Sequence, residues 1–198
     1  MAYTGAMPNV VILAGPNGAG KSTAAPRVVA DLLAVGAFVN ADTIARGLSA
    51  FDSESVAFQA GRIMLERLKE LAAQRANFAF ETTLASRTFA PFLRQLRASG
   101  YQVELVYVWL PSADMCVQRV RSRFRSGGHF VEEEIVRRRY ERSLKNFFGL
   151  YQRLADDWQV YENANGREAH RVAEGRFAQT DIVHDPEMWA LMMQRGSE

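Results

Sequence analysis

Apolar residues in this chain come in short runs that are separated by longer, more polar stretches. Runs of four to ten residues that are apolar almost throughout are typical of strands buried on both faces of a sheet. The longest run, QVELVYVWLP, is rich in β-branched and aromatic residues, which favour strands. The pattern predicts strands at residues 9–15, 37–40, 78–82 and 102–111.

The stretches between these runs carry apolar residues three or four positions apart, which predicts amphipathic helices. The clearest stripe comprises Val56, Ala60, Ile63, Met64, Leu68 and Leu71. Ser112 is an expected N-cap, and Pro186 opens a terminal helix. Helices are expected at residues 21–34, 53–74, 87–98, 112–125 and 131–154, and from residue 186 onward.

Two further strands, WQVYENA and AHRVAEG, flank the turn NANGR near the end of the chain. The alternation of strands and helices predicts an α/β fold of the P-loop NTPase type, with a central, mainly parallel sheet flanked by helices. No linker or repeat divides the chain, so we expect a single domain over residues 1–198. In such sheets, ligands bind beyond the carboxyl ends of the strands.

Composition narrows the class of partner. The 198 residues are 48% hydrophobic and carry a net charge of only +2, which favours neither nucleic acid nor an anionic membrane as a partner. The one cysteine, Cys116, excludes an intramolecular disulfide and a cysteine metal cluster. With no membrane-length apolar run and no secretory leader pattern, the expected location is cytoplasmic.

The segment GPNGAGKS fits the phosphate-binding pattern G-x-x-x-x-G-K-[ST] between a predicted strand and a predicted helix. Glycines let successive backbone N–H groups turn towards a phosphate, and the helix N-terminus adds its positive dipole end. Lys21 reaches the β- and γ-phosphates, while the Ser22 hydroxyl ligates Mg²⁺. The expected ATP contacts are Gly15, Pro16, Asn17, Gly18, Ala19, Gly20, Lys21, Ser22 and Thr23.

Polar residues follow the second and third predicted strands. Asp42 would accept or orient the proton of an attacking hydroxyl, or it would cap the helix that follows. Asn40 beside it is an expected substrate contact. The strand at residues 102–111 ends without an acid, so the usual magnesium-positioning aspartate is missing there.

Glu81, Thr82 and Thr83 form a hydrogen-bonding shelf for substrate hydroxyls, unless a threonine or Ser86 serves to cap the next helix. Asp42 or Glu81 would then help to hold the metal in place of the missing aspartate.

An arginine-rich segment at residues 112–154 is the expected lid. Arg119 and Arg123 share one helix face, and Arg139 lies on a second helix beyond the sequence GGH. Arginines that close over a triphosphate stabilise the transferring group and exclude water. A solvated helix face is the alternative, with His129 a surface residue rather than a phosphate contact. Not all arginines of a lid can face one site, so Arg121, Arg125, Arg137 and Arg142 are expected to be solvated or paired with Glu132, Glu133 and Glu141.

The blocks GPNGAGKST, FVNADTIARGL, FAFETTL and RSGGHFVEEEIVRRRYERSLKNF, in this order, resemble the zeta-toxin family of P-loop kinases, in particular its short chromosomal members. The resemblance covers about residues 9–166. It implies a small-kinase fold, and a reaction in which ATP and Mg²⁺ serve to phosphorylate a hydroxyl of UDP-N-acetylglucosamine. It also implies a toxin whose antitoxin is a separate chain.

When the family's functional residues are matched by position, the resemblance implies that Lys21 and Ser22 are the triphosphate and metal ligands. It likewise implies that Asp42 is the general base. Glu81 and Thr83 match substrate contacts. The family's clamping arginines fall within residues 119–139, and our assignments there are Arg119, Arg123 and Arg139. The chain is shorter than plasmid-borne members and has a GGH segment they lack, so the reaction type follows more directly than the substrate.

Two other functions compete with a kinase. RSGGHF resembles the signature of transport-type ATPases, but no strand ending in Asp-Glu follows it. A nucleotide-binding regulatory module with little turnover is the other alternative, which Asp42, Glu81 and the arginines disfavour.

Overall fold

The computed structural model describes residues 7–23, 36–49, 55–128, 131–165 and 169–197. Its centre is a seven-stranded sheet in the order β2-β3-β1-β4-β5-β6-β7. The strands are β1 (Asn9–Ala14), β2 (Phe38–Asn40), β3 (Phe78–Thr82), β4 (Gln102–Trp109), β5 (Asp157–Glu162), β6 (His170–Arg176) and β7 (Gln179–Val183).

Among the five strands β1 to β5, neighbours in the sheet pair in parallel. Strands β6 and β7 add an antiparallel hairpin at one edge. Residues 10–14 of β1 are almost fully buried, as are residues 105–109 of β4. A strand buried on both faces needs helices on both sides of the sheet, which is why these runs are apolar throughout. The α/β fold with a mainly parallel sheet flanked by helices is confirmed.

Six helices surround this sheet in the described part of the chain. They are α1 (Ala41–Leu48), α2 (Ala57–Ala73), α3 (Phe89–Ala98), α4 (Ala113–Arg125), α5 (Glu133–Asn146) and α6 (Pro186–Ser197). The Ser112 hydroxyl accepts a hydrogen bond from the Met115 amide and caps α4 as predicted. Residues 21–23 begin the helix expected after the phosphate loop, and its predicted continuation to residue 34 lies outside the described residues, as do residues 53 and 54.

The prediction of one continuous helix over residues 131–154 is wrong. Helix α5 ends at Asn146, and a π-helical turn (Phe147–Tyr151) and a 3₁₀ turn (Gln152–Leu154) follow. The wider turn keeps Phe147 and Tyr151 buried, and the Tyr151 hydroxyl donates to the Ser86 carbonyl at 2.6 Å. The predicted apolar face is therefore correct, although the backbone that carries it is not one α-helix.

Strand β7 was not predicted. Four of its five residues are exposed, so it has no run of buried positions that would reveal a strand. Helix α6 packs nearby, where Trp189 stacks on Trp158 with 5.7 Å between ring centroids. None of the helices in the described part combines the length and apolar character needed to cross a membrane.

Candidate active site

Strand β1 delivers the phosphate loop at the carboxyl edge of the sheet. Gly15 ends this strand with φ at 140°, and a Cβ atom there would collide with the backbone oxygen of Val108 in β4. Only glycine permits both the angle and the approach. The loop is therefore seated directly against the neighbouring strand.

Lys21 points back into the loop. Its Nζ donates to the carbonyl oxygens of Gly15 at 2.8 Å and Pro16 at 3.1 Å, and it lies 3.6 Å from Oε1 of Glu81. The side chain is buried, which places a largely desolvated cation against the carbonyl groups of the loop. Such an arrangement suits a triphosphate, because an anion gains most from charges that water does not screen.

Glu81 joins two parts of the site. Its Oε2 accepts hydrogen bonds from Ser22 Oγ and from Asn40 Nδ2, each at 2.9 Å. The sheet register causes this meeting, because Glu81 in β3 stands between Asn40 in β2 and Leu13 in β1. The prediction of Glu81 as a substrate contact stays a prediction, whereas its observed neighbours are the lysine and serine of the phosphate loop.

Asn40, rather than Asp42, caps helix α1. Its Oδ1 accepts from the backbone N–H groups of Asp42 at 2.7 Å and Thr43 at 3.3 Å. The interpretation of Asp42 as the cap is therefore wrong, since Asp42 lies in the first turn. Both ends of the Asn40 amide bond to protein groups. Its predicted contact with the substrate stays a prediction.

The Asp42 side chain is exposed at the start of α1. Among the described residues, its carboxylate has no hydrogen bond and no ion pair. A carboxylate without such a partner is free to accept a proton from a bound hydroxyl.

The two threonines after Glu81 shape a turn. The Thr82 hydroxyl accepts from the Leu84 amide at 3.2 Å and the Thr83 hydroxyl from the Ala85 amide at 3.4 Å. Each hydroxyl keeps its own hydrogen free for donation. Their predicted contact with substrate stays a prediction.

Arg119 and Asn163 hold the far side of the loop. Arg119 Nη2 donates to the carbonyl oxygens of Asn163 and Ala164, both at 2.6 Å, and Asn163 Nδ2 donates to the Ala19 carbonyl at 2.8 Å. At Gly20, where φ is 84°, a Cβ atom would collide with the Asn163 amide. Sequence reasoning missed Asn163, although it directly follows strand β5 and the strand-end rule points to it.

The predicted lid arginines divide into two groups. Arg139 on α5 reaches Asn17 Oδ1 at 3.4 Å, so it joins Arg119 beside the phosphate loop. Arg123 is exposed in the last turn of α4, and no contact among the described residues joins it to that loop.

Arg121 and Arg137 form ion pairs with Glu133, as predicted for the lid arginines that do not face the site, and Arg137 also pairs with Asp114 at 2.6 Å. His129 lies outside the described residues.

Cys116 packs behind the loop as a small buried residue. Burial raises the pKa of its thiol to about 12, so the group is neutral and is not a nucleophile.

Ser22 and Glu81 are residues that could hold a metal ion, because their side-chain oxygen atoms lie next to each other. That set fits Mg²⁺, which takes few protein oxygens and fills its shell with water and substrate phosphates.

Comparison with known proteins agrees with this geometry. A family model described as an AAA domain matches residues 10–150. An uncharacterized protein of Haemophilus influenzae is 28% identical over 130 residues, which make up 66% of this chain and 91% of that protein.

Among solved structures, two of the AvrRxo1-ORF1:AvrRxo1-ORF2 complex, with sulphate ions and with ATP, match with TM-scores of 0.76 and 0.74 at 18% identity. They cover 95% of this chain but 64% of the matched chain, so this protein spans less than two thirds of that relative's length. A structure of the PezAT chromosomal toxin-antitoxin system of Streptococcus pneumoniae has a TM-score of 0.64 at 14% identity, over 98% of this chain and 87% of that chain. These matches show that this chain shares the fold of those proteins, in agreement with the resemblance to the zeta-toxin family.

Proposed function

Because this chain belongs to the AAA domain family and has a P-loop kinase fold, we propose that it is an ATP-dependent kinase. It transfers the γ-phosphoryl group of ATP to a hydroxyl of a small molecule. The observation that carries this proposal is the Asp42 carboxylate, which has no partner among the described residues and lies in the first turn of α1, just after the strand that pairs with the Glu81 strand.

The residues divide the reaction between them. The loop amides and Lys21 bind the phosphates of ATP, and Ser22 and Glu81 would hold Mg²⁺, which neutralises phosphate charge when it is bound. Asp42 accepts the proton of the acceptor hydroxyl as its oxygen forms a bond to the γ-phosphorus. The bond from that phosphorus to the bridging oxygen breaks, and ADP leaves with that electron pair. Arg119 and Arg139 stabilise the charge on the transferring group.

A sugar nucleotide is the acceptor we propose, with UDP-N-acetylglucosamine the first to test. The resemblance to zeta toxins supports it, and so does the fold shared with a toxin-antitoxin protein. The same relation supports a growth-inhibiting role and a separate antitoxin chain. Both proposals depend on the identity of the acceptor.

The test is ADP formation with and without candidate acceptors. We expect sugar nucleotides, nucleosides or dinucleotides to stimulate ADP release, with a phosphorylated acceptor in equal amount. Lys21→Ala should lose ATP binding and transfer together. Hydrolysis that needs no acceptor and survives Asp42→Asn would contradict a kinase and favour an ATPase or a regulatory module.

A further inference from the structure

Glu162 is a buried acid that the proposed mechanism does not use. It is the last residue of β5 and is only 4% exposed. Because β5 runs parallel to β4, Glu162 lies at the carboxyl edge of the sheet, where the phosphate loop also lies. A buried carboxylate is costly unless its oxygen atoms have partners. The partners of Glu162 therefore indicate its role.

Each oxygen of the Glu162 carboxylate has a partner. Oε1 accepts a hydrogen bond from the backbone N–H of Ala164, two residues further along the chain. Oε2 lies 3.2 Å from Nδ1 of His170, the residue opposite Glu162 in the pairing of β5 with β6. The other ring nitrogen of His170 lies 3.1 Å from a carboxylate oxygen of Asp185. The Glu162 carboxylate is thus held at both of its oxygens.

The bond from Ala164 to Glu162 shapes the turn that ends β5. A side chain that accepts from the N–H two residues further on bends the backbone out of the extended form. In this turn the carbonyl oxygens of Asn163 and Ala164 converge on one atom, Nη2 of Arg119, each at 2.6 Å. Neighbouring carbonyls of an extended strand point to opposite sides, so their convergence depends on the bend.

Arg119 is anchored at one end and faces the phosphate loop at the other. A Cβ atom on Gly20 would lie 3.8 Å from Nη1 of Arg119, so this nitrogen is next to the loop. Asn163 joins the turn to the same loop, since its Nδ2 donates to the Ala19 carbonyl at 2.8 Å. A guanidinium that is fixed before the ligand arrives loses little freedom on binding and is already oriented towards phosphate charge.

We infer that Glu162 is a positioning residue for Arg119. It holds the turn at residues 162–164, the two carbonyl oxygens of the turn hold Nη2 of Arg119, and Nη1 is thereby directed at the triphosphate. This inference rests on the proposed kinase function, in which Arg119 stabilises the charge on the transferring group. Glu162 itself makes no contact with ATP in this role.

The first experiment compares Glu162→Met with Glu162→Gln, measured as transfer to an acceptor from the ADP screen. Both side chains are close to glutamate in length, but only glutamine has an oxygen that can accept from the Ala164 N–H. We expect Glu162→Met to lower kcat about tenfold or more, as for a misplaced catalytic group, with KM for the acceptor unchanged. Glu162→Gln should keep kcat within about threefold. Equal losses in the two variants would overturn the inference.

The Arg119→Ala protein distinguishes a positioning role from a structural one. If Glu162 acts through Arg119, Glu162→Met should lower the kcat of the Arg119→Ala protein by less than about twofold. An equal loss with and without Arg119 would overturn the inference, because the acid would then act on the fold.

Glu162→Asp takes the place of Glu162→Met if the methionine variant does not fold. It keeps the charge opposite His170 but draws the oxygen back by one carbon atom from the Ala164 N–H. It too should lower kcat only where Arg119 is present. No loss in either protein, or the same loss in both, would overturn the inference.

Glu174→Met is the matched control. Glu174 lies on β6, the strand paired with β5, and its carboxylate also contacts a histidine, His184 at 2.9 Å, together with Arg171 at 2.8 Å. Among the described residues it has no hydrogen bond or ion pair with the turn at residues 162–164 or with Arg119. Its kcat should be unchanged, and a loss equal to that of Glu162→Met would overturn the inference.

ATP binding, measured by calorimetry, separates this inference from the kinase itself. Glu162→Met should weaken ATP binding about threefold or more in the otherwise natural chain, and no further in the Arg119→Ala protein. Unchanged binding, or equal weakening in both proteins, would overturn the role of Glu162. Absence of any transfer to an acceptor would overturn the kinase, and the ATP titration would still decide on Glu162.

Discussion

Asp42 and Glu81 are acids near the carboxyl ends of two neighbouring parallel strands, Asp42 just after β2 and Glu81 within β3, yet their surroundings are opposite. Glu81 is 11% exposed, and Lys21, Ser22 and Asn40 surround its carboxylate. Asp42 is exposed, and in the described residues its carboxylate contacts no partner. An acid that is already bonded organises a site, whereas a free acid can exchange a proton. We therefore assign Glu81 to binding and Asp42 to the proton transfer.

The largest effect is expected for Asp42→Asn, which keeps the shape but cannot accept the proton. We expect kcat to fall by about 10²- to 10⁴-fold, the usual contribution of a general base. The affinity for ATP, measured by calorimetry, should stay within about twofold, because Asp42 does not contact the loop. The control is Glu66→Gln, an exposed acid on α2. If Asp42→Asn lost ATP affinity as Lys21→Ala does, the acid would belong to the metal or to the fold.

Glu81→Gln probes the other side of the comparison. The amide keeps the shape but loses the charge that faces Lys21 and the proposed metal. We expect about a tenfold higher magnesium concentration for half-maximal rate, since one charged oxygen contact is lost. A magnesium titration at saturating ATP measures it. A loss of kcat with no shift in the magnesium dependence would place Glu81 with the substrate instead.

Asn40→Ala tests the side chain that joins the two acids, because Asn40 donates to the Glu81 carboxylate and accepts from the backbone N–H of Asp42. It removes the cap of α1 and one hydrogen bond to Glu81, which together should lower the free energy of unfolding by about 1–2 kcal/mol. Asn40→Asp retains a capping oxygen but puts a second carboxylate beside Glu81. Urea unfolding should therefore separate the two variants, and equal loss in both would mean that capping contributes little.

Asp185, far from both acids, gives the smallest expected effect. The Met188 amide that donates to its carboxylate, together with His170, lowers the pKa of Asp185. A lowered pKa in the folded state adds stability above about pH 4, which is lost as the pH falls through the folded value. Asp185→Asn, which keeps the cap, should flatten the dependence of the urea midpoint on pH between about 3 and 5. An unchanged slope would contradict this.

The sequence predicted correctly those elements of the fold that have a clear pattern of buried and exposed positions. Strands β1 to β4 lie in apolar runs, and Ser112 has the position of a cap. It failed at strand β7, because exposed edge residues carry no apolar pattern. It also failed at the end of α5, because a π-helical turn differs from an α-helix by one residue and leaves the buried face unchanged.

At the site, the motif identified the ligand but not the contacts. The bond from Ser22 to Glu81 joins residues 59 positions apart, and only the strand register brings them together. Whether Asn40 or Asp42 caps α1 depends on a shift of two residues in where the helix starts, and helix ends are hard to predict to within one or two residues. The strand-end rule points to Asn163, but its hydrogen bond to the Ala19 carbonyl becomes visible only in the packed structure.

The stacked pair Trp158 and Trp189 gives the protein an optical reporter of its own. Trp158 belongs to the sheet and Trp189 to helix α6, so their overlap depends on that helix being docked. Tryptophan emission should therefore shift to longer wavelength when α6 detaches. Followed beside nucleotide binding, it would show whether the carboxyl-terminal helix releases before the sheet unfolds or together with it.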